Sequence, residues 1–205
     1  MPAYFSLIIS VKKENLSDNL FKDFVTLLTN NGFKYSGGIR EYENSSLSDI
    51  IAWNTDLLSK DFELGSGEDA SADYRQIVWK YRRFSSVRFF IYNAKEDGYF
   101  TFNLIIPESE VTKYNCDSGK PFFRRSVTHG LTNLAIKIFQ SGIPETIQTG
   151  LEEDEDVAPS AIQAGEMPSV NPFAVIPASC NTAGYADNIR TKAVEGNTIL
   201  ITRKI

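Results

Sequence analysis

The chain has 205 residues, 42% of them hydrophobic and 23% charged, with a formal net charge of −5; these values exclude a fibrous or wholly disordered class. The acidic balance argues against a general nucleic-acid binder, whose phosphate contacts need a basic face. No run approaches the ~20 apolar residues of a membrane span, and the apolar Met1–Val11 is followed, not preceded, by Lys12 and Lys13, which predicts a strand and not an export signal.

Tyr4 to Val11 reads as a first strand with both faces covered. Leu16, Leu20, Phe21, Phe24, Val25, Leu27 and Leu28 then recur at helical spacing, with Asn15 or Ser17 as cap and Asn31-Gly32 as stop. Phe33 to Tyr42 predicts a strand interrupted by a bulge or tight turn at Gly37-Gly38. Leu47 to Lys60 carries a second helical pattern after a Ser46/Asp49 start signal. Asp61 to Asp73, with Gly65-Ser66-Gly67, predicts a polar loop and lacks the spacing of a phosphate-binding loop.

Gln76–Phe84, Val87–Tyr92 and Tyr99–Ile106 read as three successive strands, the last two joined at Asp97-Gly98, a strong hairpin signal. A third helix follows on Phe123, Val127, Leu131, Leu134, Ile138 and Phe139, stopped by Gly142. Residues 1–150 are expected to form the main domain and 151–172 an acidic, proline-containing linker or surface loop. Residues 173–205 are expected to be a strand segment that completes the main domain. The order predicts an α+β fold, an antiparallel or mixed sheet with a central three-strand meander packed by about three helices.

Two charged features stand out. The first two strands of the meander carry Lys80, Arg82, Arg83 and Arg88 with no acid among them, and alternation puts Tyr99, Thr101 and Asn103 on the same solvent side. The acidic run Glu152, Glu153, Asp154, Glu155 and Asp156 matches in number the five bases between Arg75 and Asn93, so it is a candidate either to screen the basic face or to meet a partner. The partner-binding candidates are therefore Lys80, Arg82, Arg83, Arg88, Tyr99 and the five acids.

Catalytic and metal signatures are lacking in the sequence. His129 is the sole histidine and points off its helix stripe between Arg125 and Asn133, with no GxSxG elbow to complete a triad. Cys116 and Cys180 are far apart and make neither a disulfide framework nor a zinc knuckle, which fits a reducing cytoplasm. No cofactor and no metal are expected, and an enzyme with carboxylate chemistry stands as a minor alternative. Asp97–Phe102 is superficially similar to the aromatic strand of an RNA-recognition motif, but its leading residue is acidic and Phe100 replaces a small residue.

In size, acidity, α+β build and lack of catalytic motifs the chain resembles the immunity proteins that neutralise bacterial polymorphic or contact-dependent toxins. That resemblance implies a cytoplasmic protein-binding module in a tight complex with a toxin domain, often a nuclease whose basic site would accept Glu152 to Asp156. The alternative partner is nucleic acid on the basic sheet face. No membrane partner is expected.

Overall fold

The computed structural model describes residues 3–60, 75–94, 98–115, 121–152 and 154–203. Among the described residues it is an α+β protein with eleven strands and five α-helices. In chain order the elements are β1 (Tyr4–Lys12), α1 (Leu20–Asn30), β2 (Phe33–Gly37), α2 (Leu47–Leu58), β3 (Ile77–Tyr81), β4 (Phe84–Ala94), β5 (Tyr99–Pro107) and α3 (Glu108–Val111). They continue as β6 (Thr112–Tyr114), β7 (Pro121–Phe123), α4 (Arg125–Phe139), β8 (Thr146–Leu151), α5 (Pro159–Gln163), β9 (Phe173–Pro177), β10 (Ile189–Val194) and β11 (Thr198–Arg203).

Nine strands hydrogen-bond in the order β10-β11-β9-β8-β1-β5-β4-β3-β2, and β6 and β7 form a separate pair. The expected three-strand meander is thus part of a larger sheet and lies toward its β2 end, and more helices occur than expected. Ends of β1 and β5 meet through Glu108 N–H to the Ala3 carbonyl and Lys13 N–H to the Gly98 carbonyl, both 2.9 Å, which fixes them as antiparallel. No helix among the described residues is long and apolar enough to cross a membrane.

The chain divides into two compact units, Ser10–Leu104 and a second made of Met1–Ile9 with Ile105–Ile205. The first is built on α1. Its apolar stripe of Leu20, Phe21, Phe24, Val25 and Leu28 is buried, and Phe21 and Phe24 set their rings 4.9–6.1 Å from those of Phe89 on β4 and Phe102 on β5. Burying such rings supplies most of the attraction here. Gly32, at φ +96°, ends the helix as its sequence position requires. The start differs from expectation: residues 13–15 form a 3-10 turn, and α1 begins only at Leu20, without a side-chain cap bond.

Strand β2 is also shorter than expected. It ends at Gly37 with a register shift against β3, and a Cβ on Gly38 would overlap the carbonyl of Tyr42, where a 3-10 turn over Arg40–Tyr42 folds back. Helix α2 starts as its sequence predicts, the Ser46 hydroxyl accepting the Asp49 N–H at 3.1 Å. Within α2 the buried Asn54 amide brackets Arg75, donating to its carbonyl at 2.7 Å and accepting its N–H at 2.9 Å. The Arg75 guanidinium lies 4.3 Å from the ring of Tyr42 and 4.2 Å from that of Trp53.

In the other unit α4 buries Val127, Leu131, Leu134, Ala135, Ile138 and Phe139 and packs against β8, β9 and β11. A further core joins Ile162 of α5 and Val170 to Ala174, Ile176, Cys180, Ile189 and Ile201. Because Phe173 and Val175, which alternate with Ala174 and Ile176, are buried too, β9 is covered on both faces.

Candidate functional site

The cationic candidates gather on the β2–β3–β4 section. In β3, Ile77, Trp79 and Tyr81 are buried while Lys80 is exposed. In β4, Val87, Phe89 and Ile91 are buried, so Arg88, Phe90 and Tyr92 share the opposite face. The register pairs Lys34 with Lys80 and Val78 with Arg88, which sets Lys34, Lys80 and Arg88 on one side of the sheet. Arg88 is half-buried and donates to the Gln76 side-chain carbonyl at 2.8 Å.

Arg82 and Arg83 are not strand residues. Tyr81 pairs directly with Phe84, so the two arginines form the exposed tip of a two-residue hairpin. The sequence conceals this tip because such turns prefer Asn-Gly or Asp-Gly. Arg82 accepts a left-handed backbone, φ 52°, a conformation that costs a non-glycine residue about 1–2 kcal/mol. Its guanidinium lies 5.4 Å from the Tyr81 ring, and that of Arg83 lies 5.7 Å from the Phe84 ring. Burial raises the Tyr81 phenol above its ordinary pKa, with the Arg82 charge opposing.

Tyr99, Thr101 and Asn103 do not belong to this surface. Every residue from Tyr99 to Leu104 is buried, so along this stretch neither face of β5, which lies between β1 and β4 in the sheet, is open. The exposed aromatic of the cationic face is Tyr92, 48% exposed. Tyr92 and Lys34 join this face although they were not among the sequence-based candidates. The signal was present in the alternation of Val87, Phe89 and Ile91 with Arg88, Phe90 and Tyr92, and of Phe33 and Tyr35 with Lys34 and Ser36.

The acidic run lies in the other compact unit, after β8. Glu152, Asp154, Glu155 and Asp156 are exposed, and Glu153 lies outside the described residues, as do Cys116, Asp97 and the Gly65-Ser66-Gly67 loop. The segment is tied down on both sides. One Asp154 carboxylate oxygen accepts the Leu151 N–H at 2.6 Å and the Asn171 side-chain amide at 2.7 Å. Gln148, fully buried on β8, donates to the Val157 carbonyl at 2.8 Å and accepts the N–H groups of Val157 at 3.1 Å and Ser169 at 2.8 Å. Beyond the run, Ile162 and Val170 are buried, so the stretch 151–172 contains a helix and packed residues.

The remaining chemistry is sparse. His129 is exposed on α4, its Nε2 3.2 Å from the Asn133 amide. Burial, and secondarily Glu145, pushes the Cys180 thiol above its ordinary pKa, away from the reactive thiolate. No group of three or more His, Cys, Asp or Glu able to hold a metal ion occurs among the described residues. A groove of about 470 Å³ beside β10 is lined by Ile136, Gln140, Lys192, Ala193, Val194 and Glu195. Comparison with protein-family models, with curated proteins and with solved structures finds no match.

Proposed function

We propose that this chain is a cytoplasmic protein-binding module whose acidic segment Glu152–Asp156 meets a basic partner surface, in the manner of an immunity protein that neutralises a toxin domain. The observation that carries this reading is the anchoring of the segment. Binding through a mobile loop would cost backbone freedom, about 1–2 kcal/mol for each residue ordered. Here the Gln148 and Asp154 hydrogen bonds hold the backbone on both sides of the exposed Glu155 and Asp156 before any partner arrives. Fixed charge of one sign speeds encounter with, and orients, a cationic partner such as a nuclease active site.

The test is affinity capture from the source cells with the native chain and with a Glu152→Gln/Glu155→Gln/Asp156→Asn variant of equal thermal stability. The expected result is a stoichiometric protein that the native chain retains at low salt and the variant loses, and whose toxicity on expression the native chain suppresses. Capture of no protein overturns the reading; capture equal in both forms removes the acidic segment from it.

A further inference from the structure

We infer that the outer face of β2–β3–β4 is a binding surface for single-stranded nucleic acid, with Lys34, Lys80 and the Arg82-Arg83 tip on phosphates and Tyr92 stacked on a base. Over Phe33–Gly37 and Ile77–Ala94 there are five cations, Lys34, Lys80, Arg82, Arg83 and Arg88, and no Asp or Glu, in a chain of net charge −5. A solvated face in an acidic protein would be expected to mix both signs.

Lys34 and Lys80 stand directly opposite each other across neighbouring strands and both are exposed; such like-charged pairs repel in the free protein and are relieved by an anion between them. The hairpin tip holds Arg82 in a left-handed backbone that glycine or asparagine would adopt at lower cost. Strain of this kind at an exposed position points toward function.

Charge alone would serve an acidic protein as well as a phosphate chain. Tyr92 favours the phosphate chain. It is 48% exposed and shares its side of β4 with Arg88 and Phe90, and an aromatic ring flanking a row of cations is the arrangement by which sheets bind single strands, stacking bases while cations follow the backbone. From the hairpin tip to Tyr92 the strand covers about 30 Å at ~3.3 Å per residue, room for several nucleotides.

The experiment is fluorescence anisotropy of labelled oligo-dT and oligo-rU of about 15 nucleotides, titrated with the full chain from about 20 to 200 mM NaCl. With four phosphate contacts, log K should fall against log salt with a slope near −3, at about −0.7 per contact. Lys34→Ala/Lys80→Ala should flatten the slope by about 1.4. Tyr92→Ala should weaken binding by about 5- to 150-fold without changing the slope, and Tyr92→Phe should restore it. All four substitutions fall on exposed side chains, and an unchanged melting temperature confirms folding.

No binding at the lowest salt overturns the inference. So does binding that ignores Tyr92 and is matched by polyglutamate, which would assign the face to an acidic protein. The probe and residues differ from those of the protein-capture test, so the two proposals fail separately.

Discussion

Gln148 holds the acidic segment by donating one hydrogen bond and accepting two, and its replacement tests the proposed preorganisation directly. In Gln148→Leu the volume is nearly kept, so the loss is one of hydrogen bonding and not of packing. Three bonds vanish, to the Val157 carbonyl and to the N–H groups of Val157 and Ser169. At about 1 kcal/mol net each, with Val157 and Ser169 half-buried and so partly able to recruit water, the expected destabilisation is about 3 kcal/mol, or roughly 6–12 °C in melting temperature for a chain of this size. Amide exchange should accelerate at Val157 and Ser169 while the α1 amides stay protected, since the loosening is local. Gln148→Glu sharpens the case. A carboxylate still accepts both N–H groups but faces the Val157 carbonyl without a proton to donate, so its folded pKa rises above the ordinary ~4.3. The variant's stability is then fully present only below that value and is lost as pH rises through the folded pKa. A loss under about 1 kcal/mol in Gln148→Leu, with exchange unchanged, would refute the account of a segment held by this side chain.

Gly38→Ala should cost more than about 2 kcal/mol, because its Cβ would overlap the Tyr42 backbone carbonyl. Gly32→Ala, with open space but φ +96°, should lose only about 1–2 kcal/mol; equal losses in denaturant titrations would remove the steric distinction. Tyr99→Ala should destabilise by about 3–5 kcal/mol and Tyr92→Ala by less than about 0.5 kcal/mol, measured by urea unfolding, a reversed order refuting the assignment of one ring to the interior and the other to the surface. Burial above all raises the Cys180 thiol and the Tyr35, Tyr81 and Tyr185 phenols above their ordinary 9.0 and 10.0. The unfolded chain therefore releases these protons first, and the stability they contribute, full below pH 9, should fall as pH rises through and above 10; a urea midpoint that stays flat from pH 9 to well above pH 10 would contradict it.

Helices α1, α2 and α4 were legible because each carries a long apolar stripe with a local stop or start, Gly32, Ser46 and Gly142 among them, and such signals need no knowledge of the rest of the fold. Strands β3, β4 and β5 were legible by alternation for the same reason. What alternation cannot supply is whether the polar side of a strand is covered. Thr101 and Asn103 look like solvent residues, yet both are buried, because β5 is covered on both faces and not on one. Strand β8 failed for a related reason. Its sequence Thr146-Ile147-Gln148-Thr149-Gly150-Leu151 is half polar, yet Thr146, Gln148 and Thr149 are fully buried. Gln148 is satisfied by backbone up to 21 residues away, and Thr149 accepts the Phe173 N–H and donates to its carbonyl.

The acidic run is likewise divided by its surroundings, although its members look alike in sequence. Asp154 directs one oxygen to the Leu151 N–H and to the Asn171 amide, so its charge is partly used in closing the turn after β8. Glu155 and Asp156 are exposed beyond it. Asp154→Asn keeps the size and one carbonyl acceptor, and Asp154→Ala removes both bonds; the alanine variant should lose about 1 kcal/mol more than the asparagine one, read from urea midpoints. Glu155→Gln and Asp156→Asn should leave stability within about 0.5 kcal/mol while reducing capture of a basic partner. If instead Asp154→Asn abolished capture at unchanged stability and the other two did nothing, Asp154 would be the contact residue and the division of the run into anchor and contact would have to be reversed.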